Sequence, residues 1–312
     1  MTMKILKILR AIPTAVGIGF IPLYFTSEPL SYALSEDEIS DIQTSRNEIV
    51  FAQYDPDIWA ACSETIRNRD FVIIPADTSF LYENKNTVRL RGDLFGSNQL
   101  GFSQIIETIR DESIDPIVVD IISQGGSATL SYPIMNAMQE AKEQGRTVFT
   151  FNPVDTFSAA TLIALAASDS SAIMNAGSTY GLHSGKSPFL LKDGSRLFMS
   201  YEEASNIFDD ESLFQHPFRL LENHWLASDL KEHDEKNREL IVENTLVSRE
   251  CAQALIKSGK DVIVESEVAL SMGFADAVIF GEYNDGQTAL MVRRESQLYE
   301  DYLASLPGPT RP

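Results

Sequence analysis

Cysteine, histidine and basic residues are all scarce in this chain: two cysteines, four histidines, and 25 lysines and arginines against 45 acidic residues in 312. Two cysteines, Cys62 and Cys251, allow one bridge at most, so no disulfide framework is available and the fold must stand on its core. Whether the two pair is left open by the sequence. The formal charge of −20 argues against nucleic acid and anionic membrane surfaces as partners, because both repel such a field. No repeat or low-complexity tract interrupts the chain. Beyond the N-terminus no stretch is long and apolar enough to span a bilayer.

What is present begins with a charged start, "MTMKILKILR", followed by the apolar run "AIPTAVGIGFIPLYF". Small residues at Ser31 and Ala33 then stand at the −3 and −1 positions of a cleavage site. This is the pattern of a secretory signal peptide over residues 1–33, with an uncleaved membrane anchor as the alternative. Cleavage removes three basic residues and Glu28, taking the charge from −20 to about −22. The expected location is periplasmic or secreted, with no membrane association once the signal is removed.

Residues 34–85 read as an acidic N-terminal extension, partly helical near Ile58–Ile66, with a first strand at "FVIIP". From there strand and helix signals alternate: "NTVRLRGDLF", a helix at "NQLGFSQIIETIRD", the doubly covered strand "PIVVDII", and a helix ending at Gly145. "RTVFTFN" is a strand and residues 152–169 read as the next helix. Two short strands, "SSAIMN" and "STYGLHSG", follow. After Gly185 the chain reads as irregular, then helical from about Phe214 to Ile256, closing with the strand–helix–strand pattern "DVIVESEVALSMGFADAVIF". The spacing implies an α/β fold with a mostly parallel sheet and a helical insertion. Residues 284–312 form a C-terminal tail.

Three features can be built into one site. The turn "SQGGSA" follows a strand and precedes a helix, and its glycines let backbone N–H groups face a ligand. Ser158, in "DTFSAATLIAL", stands near a helix start, where its hydroxyl is either a cap or a nucleophile. Asp155 and Thr156 are equally good caps, and small Ala159 and Ala160 leave room for a substrate carbonyl. His183 ends an apolar strand, whereas His216, His224 and His233 lie in the polar helical region. A general base is useful only within hydrogen-bond reach of its nucleophile, which only the fold can arrange.

In order and spacing, "RLRGDL", "VVDIISQGGSA", "FSAATLIALAAS" and "YGLHSG" resemble the Clp-protease proteolytic subunit and its relatives in the ClpP/crotonase superfamily. Ser158 and His183 are 25 residues apart, as the family's helix-start serine and strand-end histidine are. The segment "ESEVALSMGFADAVI" is similar to the family's later helix and strand. The resemblance covers residues 86–283, with extra residues between Gly185 and about Asp229. It implies repeated ββα units and a serine peptidase. Ser158 is then the nucleophile, His183 the general base, and the amides of Gly126 and Ala159 the oxyanion hole. It also implies a homo-oligomer and no cofactor or metal.

The chain departs from the family at two places. Gln124 stands where the family turn has proline. The acidic third member is expected about sixteen residues before Gly273, where Lys257 stands, with Asp261 four residues later as the nearest substitute. A Ser–Lys dyad through Lys186 or Lys257 is another option. An exported relative has no ATP, so the expected activity is ATP-independent hydrolysis of peptides or unfolded protein. The alternative is an inactive ClpP-like fold serving as a binding or assembly protein. An acyl-CoA enzyme of the crotonase type is disfavoured by the export signal and by the lack of basic residues for the CoA phosphates.

Overall fold

The computed structural model describes residues 56–67, 70–82, 86–94, 99–167, 171–191, 194–207, 217–256, 261–282 and 287–306. The signal segment, Lys257, His216 and most of the acidic extension lie outside them. The described residues belong to one unit, Tyr32–Pro312.

Among the described residues the chain order starts with α1 (Pro56–Arg67), β1 (Phe71–Ala76), β2 (Thr87–Arg91), α2 (Gln99–Arg110), β3 (Ile117–Ile122) and α3 (Ala128–Glu143). Then come β4 (Val148–Asn152), β5 (Asp155–Phe157), α4 (Ala159–Ala164), β6 (Ala172–Asn175) and β7 (Thr179–Leu182). The hairpin β8 (Ser187–Leu190) and β9 (Arg196–Met199) leads to α5 (Tyr201–Ile207), α6 (Pro217–Asn244) and α7 (Arg249–Leu255). The chain closes with β10 (Val262–Glu265), α8 (Ser266–Met272), β11 (Ala277–Glu282), β12 (Thr288–Arg293) and α9 (Gln297–Ser305).

Among the described residues, seven strands form the central sheet in the order β1-β12-β11-β6-β4-β3-β2. From β11 to β2 every pairing is parallel; β12 runs antiparallel to both β11 and β1. The continuous apolar run of β3 is buried nearly throughout, as a strand covered on both faces must be. The two strands at one end of the sheet, β1 and β12, thus come from the segments flanking residues 86–283. The largest core cluster packs Ile117, Val119, Ile121, Ile134, Met138 and Ile163 beneath α3 and α4. The opposite face gathers Val118, Phe151, Ile173 and Val292. A buried carboxylate, Asp120, is held by the Arg91 guanidinium, whose Nη1 donates at 2.7 Å. Cys62 and Cys251 form a disulfide that ties α1 to α7 across 189 residues of sequence.

Three expectations change. Residues 152–169 do not form one helix: Asp155–Phe157 pair in parallel with Thr179–Gly181, and α4 starts only at Ala159. The pairing with β7 explains the switch, and it buries Thr156, whose hydroxyl donates to the Asn152 side chain at 2.7 Å. The segment after Gly185 is not irregular but a hairpin, with Ser187↔Met199 and Leu190↔Arg196 as its outer pairs. The long helix breaks between Asn244 and Arg249, where the Ser248 hydroxyl accepts from the Cys251 N–H at 3.1 Å and caps α7. Elsewhere the expected C-terminal glycine is in place, Gly145 taking φ +80° just beyond α3.

Candidate active site

A second, three-stranded sheet positions the chemistry. It pairs β5 in parallel with β7, and β10 antiparallel to β7. Ser123, at the end of β3, makes a parallel bridge to Thr156, and the Phe157 N–H donates to the Ser123 carbonyl at 2.9 Å. Three parallel chain segments therefore finish side by side, about 4.8 Å apart. The first continues into the Gly125-Gly126 turn, the second into Ser158, the third into His183. Ligand sites in α/β proteins gather at such carboxyl ends.

Ser158 is the single non-glycine residue with positive φ among the described residues, at φ 57° and ψ −128°. It turns the chain abruptly from β5 into α4. It occupies the N-cap position, yet its side chain makes no capping hydrogen bond. The cap interpretation of this hydroxyl is thereby removed. Backbone strain of this kind costs about 1–3 kcal/mol and persists only where the surroundings enforce it. Here they do: the Ser158 N–H donates to the Gly181 carbonyl at 2.7 Å, and its own carbonyl accepts from Thr161 N–H at 3.0 Å. The buried Thr161 hydroxyl reaches the carbonyls of Thr156 at 2.8 Å and Gly181 at 2.9 Å. Asp155 and Thr156, the other cap candidates, instead bond Thr179 and Asn152.

The Gly-Gly turn fits against this elbow. A Cβ on Gly125 would sit 2.5 Å from the Phe157 carbonyl oxygen and 2.6 Å from Ser158 Cβ, so glycine is required there for close approach. The Ser123 hydroxyl accepts from the Gly125 N–H at 3.1 Å. Leu94 lies across Gly126, donating to the Gly125 carbonyl at 2.7 Å and accepting from Ser127 N–H at 2.8 Å. The Gly126 N–H makes no hydrogen bond among the described residues, and the Ala159 N–H, first in its helix, has no intrahelical acceptor. These are the two donors expected of an oxyanion hole.

His183 is half-buried, one residue past β7. Its Nδ1 lies 2.5 Å from the Ser184 carbonyl oxygen. A carbonyl only accepts, so Nδ1 donates in this contact and Nε2 is the ring nitrogen left to face a substrate; no hydrogen bond joins His183 to Ser158 among the described residues. Val262↔Leu182 is the outermost pair of the β10–β7 ladder. Asp261 is the next residue outward on β10, as His183 is on β7, and Asp261 is exposed. Lys186 is exposed too.

A group that the sequence did not single out is Asp234 of α6. It is buried, and its Oδ1 accepts from the Gly185 N–H at 2.7 Å. Burial pushes its carboxyl above the ordinary carboxylate range, against the opposing influence of the Gly185 N–H, Arg238, His183 and His233. It also lines a cavity of about 400 Å³ between α1, α5, α6 and α7. Nearby, the Tyr132 hydroxyl lies 3.1 Å from His233 Nδ1, and the rings stack. No signal marked Asp234, since its position depends on how the long helix α6 packs beside the loop after β7.

Among the described residues no cluster of histidine, cysteine, aspartate or glutamate could hold a metal ion, and no helix is long and apolar enough to cross a membrane. No family model matches the chain, and no curated protein matches it.

Proposed function

We propose that the chain is an exported, ATP-independent serine peptidase of ClpP-like type, with Ser158 as nucleophile and His183 as general base. The single observation carrying this reading is the strained turn at Ser158, whose hydroxyl caps nothing. It stands between a glycine turn offering an N–H and a strand ending in histidine. Such a strand–turn–helix elbow presents a nucleophile while α4 begins directly behind it. In the reaction the Ser158 Oγ attacks the scissile carbonyl carbon as its proton passes to His183 Nε2. Negative charge grows on the carbonyl oxygen, facing the N–H groups of Gly126 and Ala159. The C–N bond breaks, the leaving amine takes the proton from His183, and an acyl ester remains on Ser158. Water attacks that ester with His183 again as base, releasing the acid and restoring the hydroxyl.

The sheet order and the segments that resemble the family support a ClpP/crotonase-like fold. The disulfide supports an oxidising compartment, hence export through the segment at residues 1–33. Peptides or unfolded protein as substrate, and assembly of several copies, rest on the resemblance. A fluorophosphonate probe tests the activity. Labelling that is lost in Ser158→Ala and kept in Ser127→Ala supports it; absence of labelling in folded wild-type protein refutes it. The second reading, an inactive binding or assembly protein, is favoured by the exposure of Asp261, the carboxylate expected to orient the histidine.

A further inference from the structure

We infer that Asp234, carried by the inserted helix α6, is the positioning acid for His183. This inference rests on the Ser158–His183 reading of the site. The loop holding the histidine is clamped from one side by a single turn of α6. The Gly185 N–H donates to Asp234 Oδ1 at 2.7 Å. A Cβ on Gly185 would lie 3.2 Å from Leu230 Cδ2 and 3.3 Å from Asp234 Oδ1, so Leu230 and Asp234, four residues apart on one helix face, both press on this residue. Between them and the base, Ser184 is 1% exposed, and its carbonyl accepts a hydrogen bond from His183 Nδ1–H. The backbone carbonyl thus selects the tautomer, while the carboxylate behind it supplies the negative charge that balances an imidazolium. His183 is near enough to favour the charged form of the Asp234 carboxyl, a smaller influence than the burial that opposes it. Asp261 has the register to serve but is exposed, where water screens its charge. The charged and titratable groups around Asp234 are His183, His233, Arg238 and Tyr132, with Lys231 beside it on α6 and Asp57, Tyr201, Glu202 and Glu250 lining the same cavity from α1, α5 and α7.

The test compares Asp234→Asn, Asp234→Ala and Asp261→Asn by the rate of fluorophosphonate labelling against pH, with melting curves alongside. Asn keeps an acceptor for the Gly185 N–H and removes only the charge. The expected result is an unchanged or higher melting temperature for Asp234→Asn. Its labelling rate should fall ten- to a hundredfold, with the acid limb of the profile moved to lower pH. That is a smaller loss than the roughly 10⁴-fold seen where an acid also sets the tautomer. Wild-type rate and profile in Asp234→Asn, with only Asp234→Ala impaired, make the role purely structural and overturn the inference. So does a slowed Asp261→Asn beside a normal Asp234→Asn. Asp234→Glu, which restores the charge, should recover most of the rate, and a folded Glu variant as slow as Asn also overturns it. The His183 ring resonances, followed by NMR across neutral pH, need no activity. If they titrate alike in wild type and Asp234→Asn, the inference falls. If they differ while wild type does not label, only the peptidase reading falls.

Discussion

Gly125→Ala probes the close approach on which the site depends. Gly125 has φ +83°, and Gly145, beyond α3, has φ +80°. An alanine in that region costs about 1–2 kcal/mol at either position, partly offset by about 0.4–1 kcal/mol from the less free unfolded chain. The two sites differ in their surroundings. At Gly145 a Cβ meets nothing within 4 Å, whereas at Gly125 it meets the Phe157 carbonyl oxygen at 2.5 Å, Ser158 Cβ at 2.6 Å and the Ala159 nitrogen at 3.0 Å. Two of these three are backbone atoms, which no rotamer change relieves. Overpacking adds about 1–3 kcal/mol, so Gly125→Ala should lose about 2–4 kcal/mol and Gly145→Ala about 1 kcal/mol or less. Restoring ordinary contact means parting the turn from the elbow by about 0.9 Å, a misplacement that costs on the order of 100-fold in rate. Urea unfolding midpoints with unchanged slopes measure the first quantity, and the fluorophosphonate labelling rate the second. If Gly125→Ala unfolds with Gly145→Ala and labels at the wild-type rate, the glycine turn does not abut the nucleophile and the geometry argued above is wrong.

Ser158→Gly should abolish labelling yet raise stability by up to about 1 kcal/mol, because glycine relieves the strain at φ 57° and no capping bond is lost; a lower urea midpoint would show that the hydroxyl was holding the helix. Replacing both Cys62 and Cys251 by serine should cost about 2–5 kcal/mol, read as a lower melting temperature that reductant reproduces in wild type and no longer affects in the variant. Asp234 gives a stability dependence with a definite sign. Its folded-state pKa is raised by burial, so its contribution is fully present below the unfolded carboxylate pKa and is lost as pH rises through the folded value. Asp234→Asn should therefore be more stable than wild type at neutral pH. That advantage should vanish as the pH falls below the ordinary carboxylate range, and denaturation curves across acid pH would expose the opposite trend.

Much of the architecture was legible in local pattern. The apolar run of β3, the Gly145 helix stop and the strand–helix–strand close all follow from short-range periodicity and turn chemistry, which tertiary contacts reinforce here. Residues 152–157 misled for a physical reason: they precede a small and aliphatic run that is helical from Ala159, and their own strand state came from pairing with Thr179–Gly181, more than twenty residues away. The site divides in the same way. The residues alone offered Ser158, the glycine turn and His183 as candidates and bounded the disulfide to a single pair, while the roles of Gly126, Ala159 and Asp261 came from the resemblance to the Clp-protease subunit. Only the tertiary structure decided that Ser158 sits at positive φ with an uncommitted hydroxyl, since backbone strain is imposed by the neighbouring strand and glycine turn. Only it placed Asp234 beside the histidine loop, because the packing of a long helix brings together residues that no sequence interval connects.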